Sequence, residues 1–210
     1  MHKKIAPVTA LVAWASVLVQ MGYSIAHGLA RGDSFLHATV DYFSYFTVTT
    51  NTLCALVLTV PWLAPESPAG KWLARPHMHA IAAGAIIVVG LAYHFLLSAI
   101  NNPVGVEYVT DLGLHYVVPT LFTLHWMLAA PKHGLRFTHL PWFGLYPLAY
   151  FVWIVVRGQV MGEYPYFFVD VRDLGLLTAT RNAAGILLFY FTILAILFAV
   201  TARQRAQEQA

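Results

Sequence analysis

Long apolar runs separated by short polar segments dominate the chain. The runs cover roughly 5–26, 42–62, 79–100, 112–130, 142–161 and 183–202. Each is close to the about 20 residues with which an α-helix crosses the hydrocarbon core of a bilayer. Lipid offers backbone amides and carbonyls no partner, so each run should be helical. The pattern therefore predicts an all-α, polytopic membrane protein whose six transmembrane helices form a single bundle over 1–210.

The composition agrees with a membrane protein and excludes several other classes. Of the 210 residues, 59% are hydrophobic and 10% are charged. The net charge of +3 is spread over loop ends, which is not typical of a nucleic-acid-binding surface. Cys54 is the only cysteine, so an internal disulfide and a cysteine zinc cluster are both excluded.

The distribution of basic residues predicts how the chain is oriented in the membrane. If the N-terminus is cytoplasmic, the inner side collects Lys3, Lys4, Lys71, Arg75, Lys132, Arg136, Arg203 and Arg205. The outer side then holds Arg31, Arg157, Arg172 and Arg181. Because cytoplasmic loops carry the excess of Lys and Arg, this orientation is favoured and both termini are predicted to be cytoplasmic.

Polar side chains from three predicted helices fall near the same, outer end of the bundle. At about 1.5 Å per residue, Thr47 lies about 9 Å below the start of the second helix, near Asp41. By the same rise, His115 lies about 6 Å below Asp111 on the fourth helix. His94 lies roughly two turns before the outer end of the third helix. Since such groups are costly in lipid, their cluster is a candidate functional site.

The second helix carries a polar stripe with two possible interpretations. Ser44, Thr47, Asn51 and Cys54 recur at helical spacing and should face the bundle interior. Small polar residues commonly pack at helix contacts in membranes. Alternatively, a threonine hydroxyl becomes a nucleophile when a neighbouring imidazole accepts its proton.

The fourth helix supplies the candidate imidazole. Histidine is a general base near neutral pH, although His115 could equally be a structural residue bonded to a carbonyl. Pro119 removes the amide that would bond the carbonyl of His115, so a kink or an extra acceptor is expected there. A packing or inner-interface role is predicted for His125, and a solvated or headgroup-facing position for His77 and His79.

The fifth helix and the loop after it contain candidate substrate-binding residues. The loop over 162–173 is rich in aromatic residues and acids, and it could cover the site as a lid. An arginine of this region could hold a substrate carboxylate through two hydrogen bonds, or it could simply pair with nearby acids. The substrate-binding candidates are Tyr150, Trp153, Arg157, Asp170 and Arg181.

Three segments resemble a known family of six-helix membrane proteins. They are FSYFTVTTN over 43–51, LHYVVP over 114–119, and the run from Tyr150 and Trp153 through Gly162 to Asp170. The resemblance is to the family of androgen-induced gene 1 protein and androgen-dependent TFPI-regulating protein. Members are described as hydrolases that use a threonine and a histidine to cleave fatty acid esters of hydroxy fatty acids.

The resemblance implies specific roles for residues of this chain. Thr47 corresponds to the nucleophile and His115 to the histidine base. In the family pattern the histidine stands one residue further from the proline, so His94 is a second candidate for the base. Asn51 and Tyr166 are candidates for oxyanion stabilisation or support of the site. The implied substrate is a lipid ester from the surrounding bilayer, and no metal or other cofactor is implied.

Three other functions remain open from the residues themselves. A metal-dependent lipid hydrolase would place His94, His115 and an acid such as Asp111 or Asp170 around zinc. A transporter or lipid-binding protein would use the polar cluster only to hold a ligand, although no internal repeat is visible. A haem-binding electron carrier would need a deep pair of facing histidines, which the predicted depths do not provide.

Overall fold

The computed structural model describes residues 5–208, with side chains as far as Gln204. Within that range the regular structure is helical and contains no strand, as the apolar pattern predicts. Lys3 and Lys4 of the orientation prediction lie outside the described residues, and so does the side chain of Arg205.

Ten α-helices are present in the described part of the chain. They are α1 Ile5–Ala30, α2 Phe35–Tyr42, α3 Phe46–Leu63, α4 Pro68–Leu73, α5 Pro76–Ala92, α6 Val106–Leu112, α7 Val118–Leu128, α8 Leu140–Phe143, α9 Leu145–Met161 and α10 Val171–Glu208. Two π-helical turns, Tyr93–Leu97 after α5 and Gly113–Val117 between α6 and α7, continue the helices on which they lie.

Five helical segments are long and apolar enough to cross a membrane. They are Ile5–Ala30, Phe46–Leu63, Pro76–Leu97, Phe137–Met161 and Val171–Gln204. The predicted fourth span, 112–130, is not among these five. Its residues belong instead to the sequence of α6, a π turn and α7, which carries Asp111 and His115.

The chain divides into two compact units, Met1–Gly134 and Leu135–Ala210. In the first unit α1 packs on α3, α3 on α5, α5 on α7, and α7 on α1, so these four helices form a closed ring. The short α2 lies against α1, where the buried Tyr42 hydroxyl donates to the carbonyl of Val17 at 2.6 Å. Helices α8, α9 and α10 pack together in the second unit. The prediction of a single domain over 1–210 stays a prediction.

The helix boundaries differ from the predicted ones mainly outside the apolar runs. Residues before the second span form α2, because Ser34 caps its N-terminus by accepting a hydrogen bond from the amide of His37 at 3.1 Å. The last helix starts at Val171, well before the predicted 183. Gly175, with φ +72° and ψ 156°, interrupts its first turns, and glycine adopts such a conformation without a side-chain clash.

Candidate active site

The first unit brings Thr47 and His115 into contact. Thr47 Oγ1 lies 3.2 Å from His115 Nε2. Both side chains are largely buried, with the imidazole 13% exposed. The hydroxyl comes from the first turn of α3 and the imidazole from the π turn before α7. The contact that both roles require is therefore present, while the catalytic roles themselves stay predictions.

The neighbours of the second ring nitrogen fix the tautomer of His115. Nδ1 lies 3.1 Å from the carbonyl oxygen of Asp111 and 3.0 Å from its carboxylate oxygen Oδ1. A carbonyl accepts only, and so does an ionised carboxylate, so Nδ1 must carry the proton. In a neutral imidazole the lone pair is then on Nε2, which faces the Thr47 hydroxyl.

Tyr93 completes the cluster from the π turn after α5. Its hydroxyl donates to the other carboxylate oxygen of Asp111, Oδ2, at 2.7 Å. Its ring stacks on the His115 imidazole, with centroids 3.8 Å apart and planes 12° from parallel. Thr47, His115, Asp111 and Tyr93 thus form one continuous chain of contacts, which we call the Thr47 cluster.

The π turn that carries His115 has a clear local cause. In this turn the amide of Val118 donates to the carbonyl of Gly113, five residues earlier. In the same register the carbonyl of Leu114 would need the amide of residue 119, which is a proline and has none. The irregularity expected near Pro119 is therefore confirmed. The carbonyl that lacks a backbone amide donor in this turn is that of Leu114.

Asn51 supplies the missing hydrogen bond. Its fully buried Nδ2 donates to Leu114 O at 3.1 Å and to Thr47 O at 2.8 Å. A side-chain amide has two N–H donors, and both are used here. The amide therefore ties the backbone of the threonine to that of the histidine turn. Of the two roles considered for Asn51, this geometry favours support of the site over oxyanion stabilisation.

Two glycines allow the helices to approach closely enough for these contacts. A Cβ on Gly113 would lie 2.2 Å from Ser16 Oγ of α1. A Cβ on Gly90 would lie 3.1 Å from both the carbonyl oxygen of His115 and Cβ of Pro119. Small residues at both contacts let α1 and α5 pack directly against the backbone of the His115 turn.

His94, the second candidate for the base, makes a different contact. It lies in the π turn after α5, on an exposed position, and its Nδ1 is 3.3 Å from the Tyr116 hydroxyl. His115 makes the contact with Thr47 instead. The geometry thus favours His115 as the base.

The remaining predicted site residues belong to the second unit. Arg157 is buried and donates from Nη1 to the carbonyl of Glu163 at 2.7 Å, while Tyr166 stacks on Phe168. Trp153 and Arg181 are exposed, and Tyr150 is partly exposed. A substrate-binding role for Tyr150, Trp153, Arg157, Asp170 and Arg181, and the role of Tyr166, stay predictions.

Asp170 forms an ion pair at the start of α10. Its Oδ2 accepts from Arg172 Nη2 at 2.8 Å, and its Oδ1 accepts from the amide of Arg172 at 2.9 Å. The hydrogen bonds from Arg172 hold the pKa of this carboxyl below its ordinary value, although burial opposes them. The simple pairing of arginine with nearby acids, considered for this loop, is thus realised for both Arg172 and Arg157.

The expected position of His79 is wrong. It is buried rather than solvated, and its Nδ1 lies 3.4 Å from Nε2 of the equally buried His125. The predicted depths missed this facing pair because they were counted from loop ends, whereas burial depends on the helix face. The two rings contact each other directly, so no porphyrin fits between them.

The metal alternative receives no support from the side-chain arrangement. Among the described residues, no three His, Cys, Asp or Glu side chains are grouped so that they could hold a metal ion. His94 and His115, two of the proposed ligands, bond Tyr116 and Thr47 respectively.

Comparison with known proteins finds no matching family model, no matching curated protein and no matching solved structure. The chemistry of the site must therefore be inferred from its geometry.

The orienting role of Asp111 was not predicted from the sequence, where this residue was only a candidate metal ligand. Its position four residues before the histidine was the available signal, because residues i and i+4 of a helix are neighbours. Nothing in the sequence distinguished Tyr93 from the other interfacial aromatic residues.

Proposed function

We propose that the chain is a membrane-embedded lipid ester hydrolase with Thr47 as nucleophile and His115 as general base. The observation that carries this proposal is the order of contacts from hydroxyl to imidazole to carboxylate. A nucleophile within hydrogen-bond reach of a base, which a third group orients, is the arrangement that acyl-transfer enzymes of unrelated folds share. Asp111 is the third group here.

The first half of the reaction is acyl transfer to the threonine. Thr47 Oγ1 attacks the ester carbonyl carbon while its proton passes to His115 Nε2. The resulting imidazolium is stabilised by the Asp111 carboxylate at Nδ1. When the tetrahedral intermediate collapses, the bond from carbon to the alcohol oxygen breaks, and His115 returns the proton to that oxygen. The alcohol leaves, and the acyl group remains on Thr47.

The second half releases the acid. Water attacks the acyl carbon and gives a proton to His115 Nε2. The bond to Thr47 Oγ1 then breaks, and the threonine oxygen takes the proton back from the imidazolium. The free carboxylic acid departs, and the Thr47 cluster returns to its initial state.

The position of Thr47 in the first turn of α3 assists both steps. The N-terminal end of a helix carries a partial positive charge, which stabilises negative charge within about one turn. The oxyanion of each tetrahedral intermediate forms beside Thr47 and so lies in this field. Support for the oxyanion therefore comes at least in part from the backbone of α3.

Lipid esters are the substrates that best suit this site. In the proposed topology 106–128 also crosses the membrane and is the fourth of six spans, both termini are cytoplasmic, and the Thr47 cluster lies near the outer face. Within 106–128, His115 contacts Thr47 of α3 and Asp111 contacts Tyr93 of the π turn after α5, both inside the first unit. These contacts support a span that is less apolar than the others. Fatty acid esters of hydroxy fatty acids, which the resembled family cleaves, are the proposed substrates, and membership of that family is part of the proposal.

Ester cleavage by purified protein in detergent tests the proposal. Replacing Thr47 or His115 by Ala should lower kcat by about 10⁴-fold, as for members of such a triad. Thr47→Ser keeps a hydroxyl and should retain measurable turnover. Thr49→Ala is the matched control, because it removes a threonine two residues away whose hydroxyl lies within hydrogen-bond distance of the backbone carbonyls of Tyr45 and Phe46. Full activity in both Thr47→Ala and His115→Ala would refute the mechanism.

A further inference from the structure

Tyr93 belongs to the Thr47 cluster through its contacts with His115 and Asp111. Tyr93 is 4% exposed and contacts both members of the pair that activates the threonine. Its hydroxyl donates to Asp111 Oδ2, and its ring covers one face of the His115 imidazole. These two contacts restrain different degrees of freedom, since one fixes the carboxylate and the other fixes the ring plane.

The backbone conformation of two helices brings the Tyr93 ring against the His115 imidazole. Tyr93 begins one π turn, in which the amide of Ser98 donates to its carbonyl at 2.8 Å, and His115 is the middle residue of the other. Such turns are rare in helices and are frequent at functional sites. Gly90 lies almost one turn before Tyr93 and brings α5 against the backbone of His115. The stack of the two rings thus depends on paired irregularities in two neighbouring helices.

We infer that Tyr93 is a positioning residue, which holds Asp111 and His115 in the orientation that presents Nε2 to the Thr47 hydroxyl. The inference rests on the proposed function. Without the phenol, Asp111 Oδ2 loses its donor and the carboxylate can rotate away from Nδ1. Without the aromatic ring, the imidazole can tilt out of line with the hydroxyl. The π face also attracts the imidazolium that forms during each proton transfer.

Two substitutions separate these effects. Tyr93→Phe keeps the stacked ring and removes the hydrogen bond to Asp111, whereas Tyr93→Leu removes both. Loss of a hydrogen bond to a charged group should lower kcat about tenfold or more in Tyr93→Phe, with KM changed by less than about twofold. Tyr93→Leu should lose more. Tyr116→Phe is the matched control, because it removes a neighbouring phenol hydroxyl that bonds His94.

A readout that does not depend on ester cleavage distinguishes this inference from the proposed function. Nitrogen-15 NMR of labelled histidine, assigned by comparison with His115→Ala, reports which ring nitrogen of His115 carries the proton. We expect the Nδ1–H form in the wild type and in Tyr116→Phe, and a mixture of tautomers in Tyr93→Phe. If Tyr93→Leu does not fold, Tyr93→Phe carries the test alone.

Each outcome decides one of the two claims. Thr47-dependent cleavage with unchanged kcat and an unchanged tautomer in Tyr93→Phe would overturn the positioning role and leave the proposed function intact. A raised KM with normal kcat would also overturn it, because that result indicates contact with substrate. Absence of any Thr47-dependent cleavage in the wild type would refute the proposed function instead, whatever the histidine spectra show.

Discussion

At the scale of single residues, the central feature is that the contacts of the two His115 ring nitrogens assign a different role to each. Two acceptors face Nδ1, so Nε2 is left to accept the proton of Thr47. A threonine hydroxyl is a weak nucleophile until a base takes its proton. The contact of Thr47 with His115 therefore favours the nucleophile interpretation of the stripe on α3 over the alternative of small polar residues packed at a helix contact.

The carboxylate of Asp111 provides a sharp test at this scale. In Asp111→Asn the side chain can donate to Nδ1, which stabilises the wrong tautomer and leaves the charge of the imidazolium unbalanced. We expect kcat to fall by about 10²–10⁴-fold while KM changes little. Steady-state kinetics of purified Asp111→Asn and Asp111→Glu check this, the glutamate variant serving as the conservative comparison. Wild-type kcat in Asp111→Asn would remove the carboxylate from the mechanism.

The sequence allowed only part of this site to be predicted. Thr47 and His115 could be proposed from similar depth on two helices and from a resemblance. The i, i+4 spacing of Asp111 and His115 was visible in the sequence. It was compatible with a metal ligand at Asp111 as well as with an acid that orients the histidine. Tyr93 and the support role of Asn51 depend on contacts between helices, which one sequence does not specify.

At the scale of helices, the site depends on local departures from regular α-helix. Pro119 lacks the amide hydrogen, and the π turn shifts the hydrogen-bond register. Asn51 then donates to the carbonyl of Leu114, which has no backbone amide donor in the turn. The proline was visible in the sequence and correctly indicated an irregularity. The type of irregularity was not predictable, because it depends on whether a side chain of α3 can reach the freed carbonyl.

Gly113 offers a test of how closely α1 must approach this turn. Alanine is normally favoured over glycine inside a helix by about 1 kcal/mol. In Gly113→Ala, however, the new methyl would lie 2.2 Å from Ser16 Oγ and 3.1 Å from its Cβ. We therefore expect a lower melting temperature in detergent and reduced ester turnover. Adding Ser16→Gly should restore both, whereas a Gly113→Ala variant at least as stable as the wild type would contradict the close packing.

At the scale of the whole molecule, the apolar pattern correctly predicted that the described part of the chain is all-α and has several helices long and apolar enough to cross a membrane. The predicted span 112–130 was the exception, because it is not among the five segments that meet the length and hydropathy of a span. It contains His115 and His125, and the acids Glu107 and Asp111 come just before it. The contacts of the Thr47 cluster account for Asp111 and His115, whereas His125 pairs with His79. The order of helices around the ring of the first unit, α1, α3, α5 and α7, could not be read from the sequence, since each apolar run fits next to any other.

The proposed topology makes a prediction about the two ends of 106–128. Cys54 is fully buried and is the only cysteine, so a Cys54→Ala background allows single cysteines to be placed elsewhere. Asn102→Cys and His133→Cys both lie at exposed positions. In intact cells a membrane-impermeant thiol reagent should label position 102 and should reach position 133 only after permeabilisation. Labelling of both positions from the same side would show that this segment does not cross the membrane.

The most direct test of the central claim is covalent trapping of the nucleophile in the intact protein. A fluorophosphonate probe reacts with an activated hydroxyl, and mass spectrometry then identifies the modified residue. We expect an adduct on Thr47 in the wild type and in Thr49→Ala, and none on this residue in His115→Ala. An unmodified Thr47 in protein that cleaves esters, or labelling of Thr47 that is equally strong without His115, would contradict a threonine activated by this histidine.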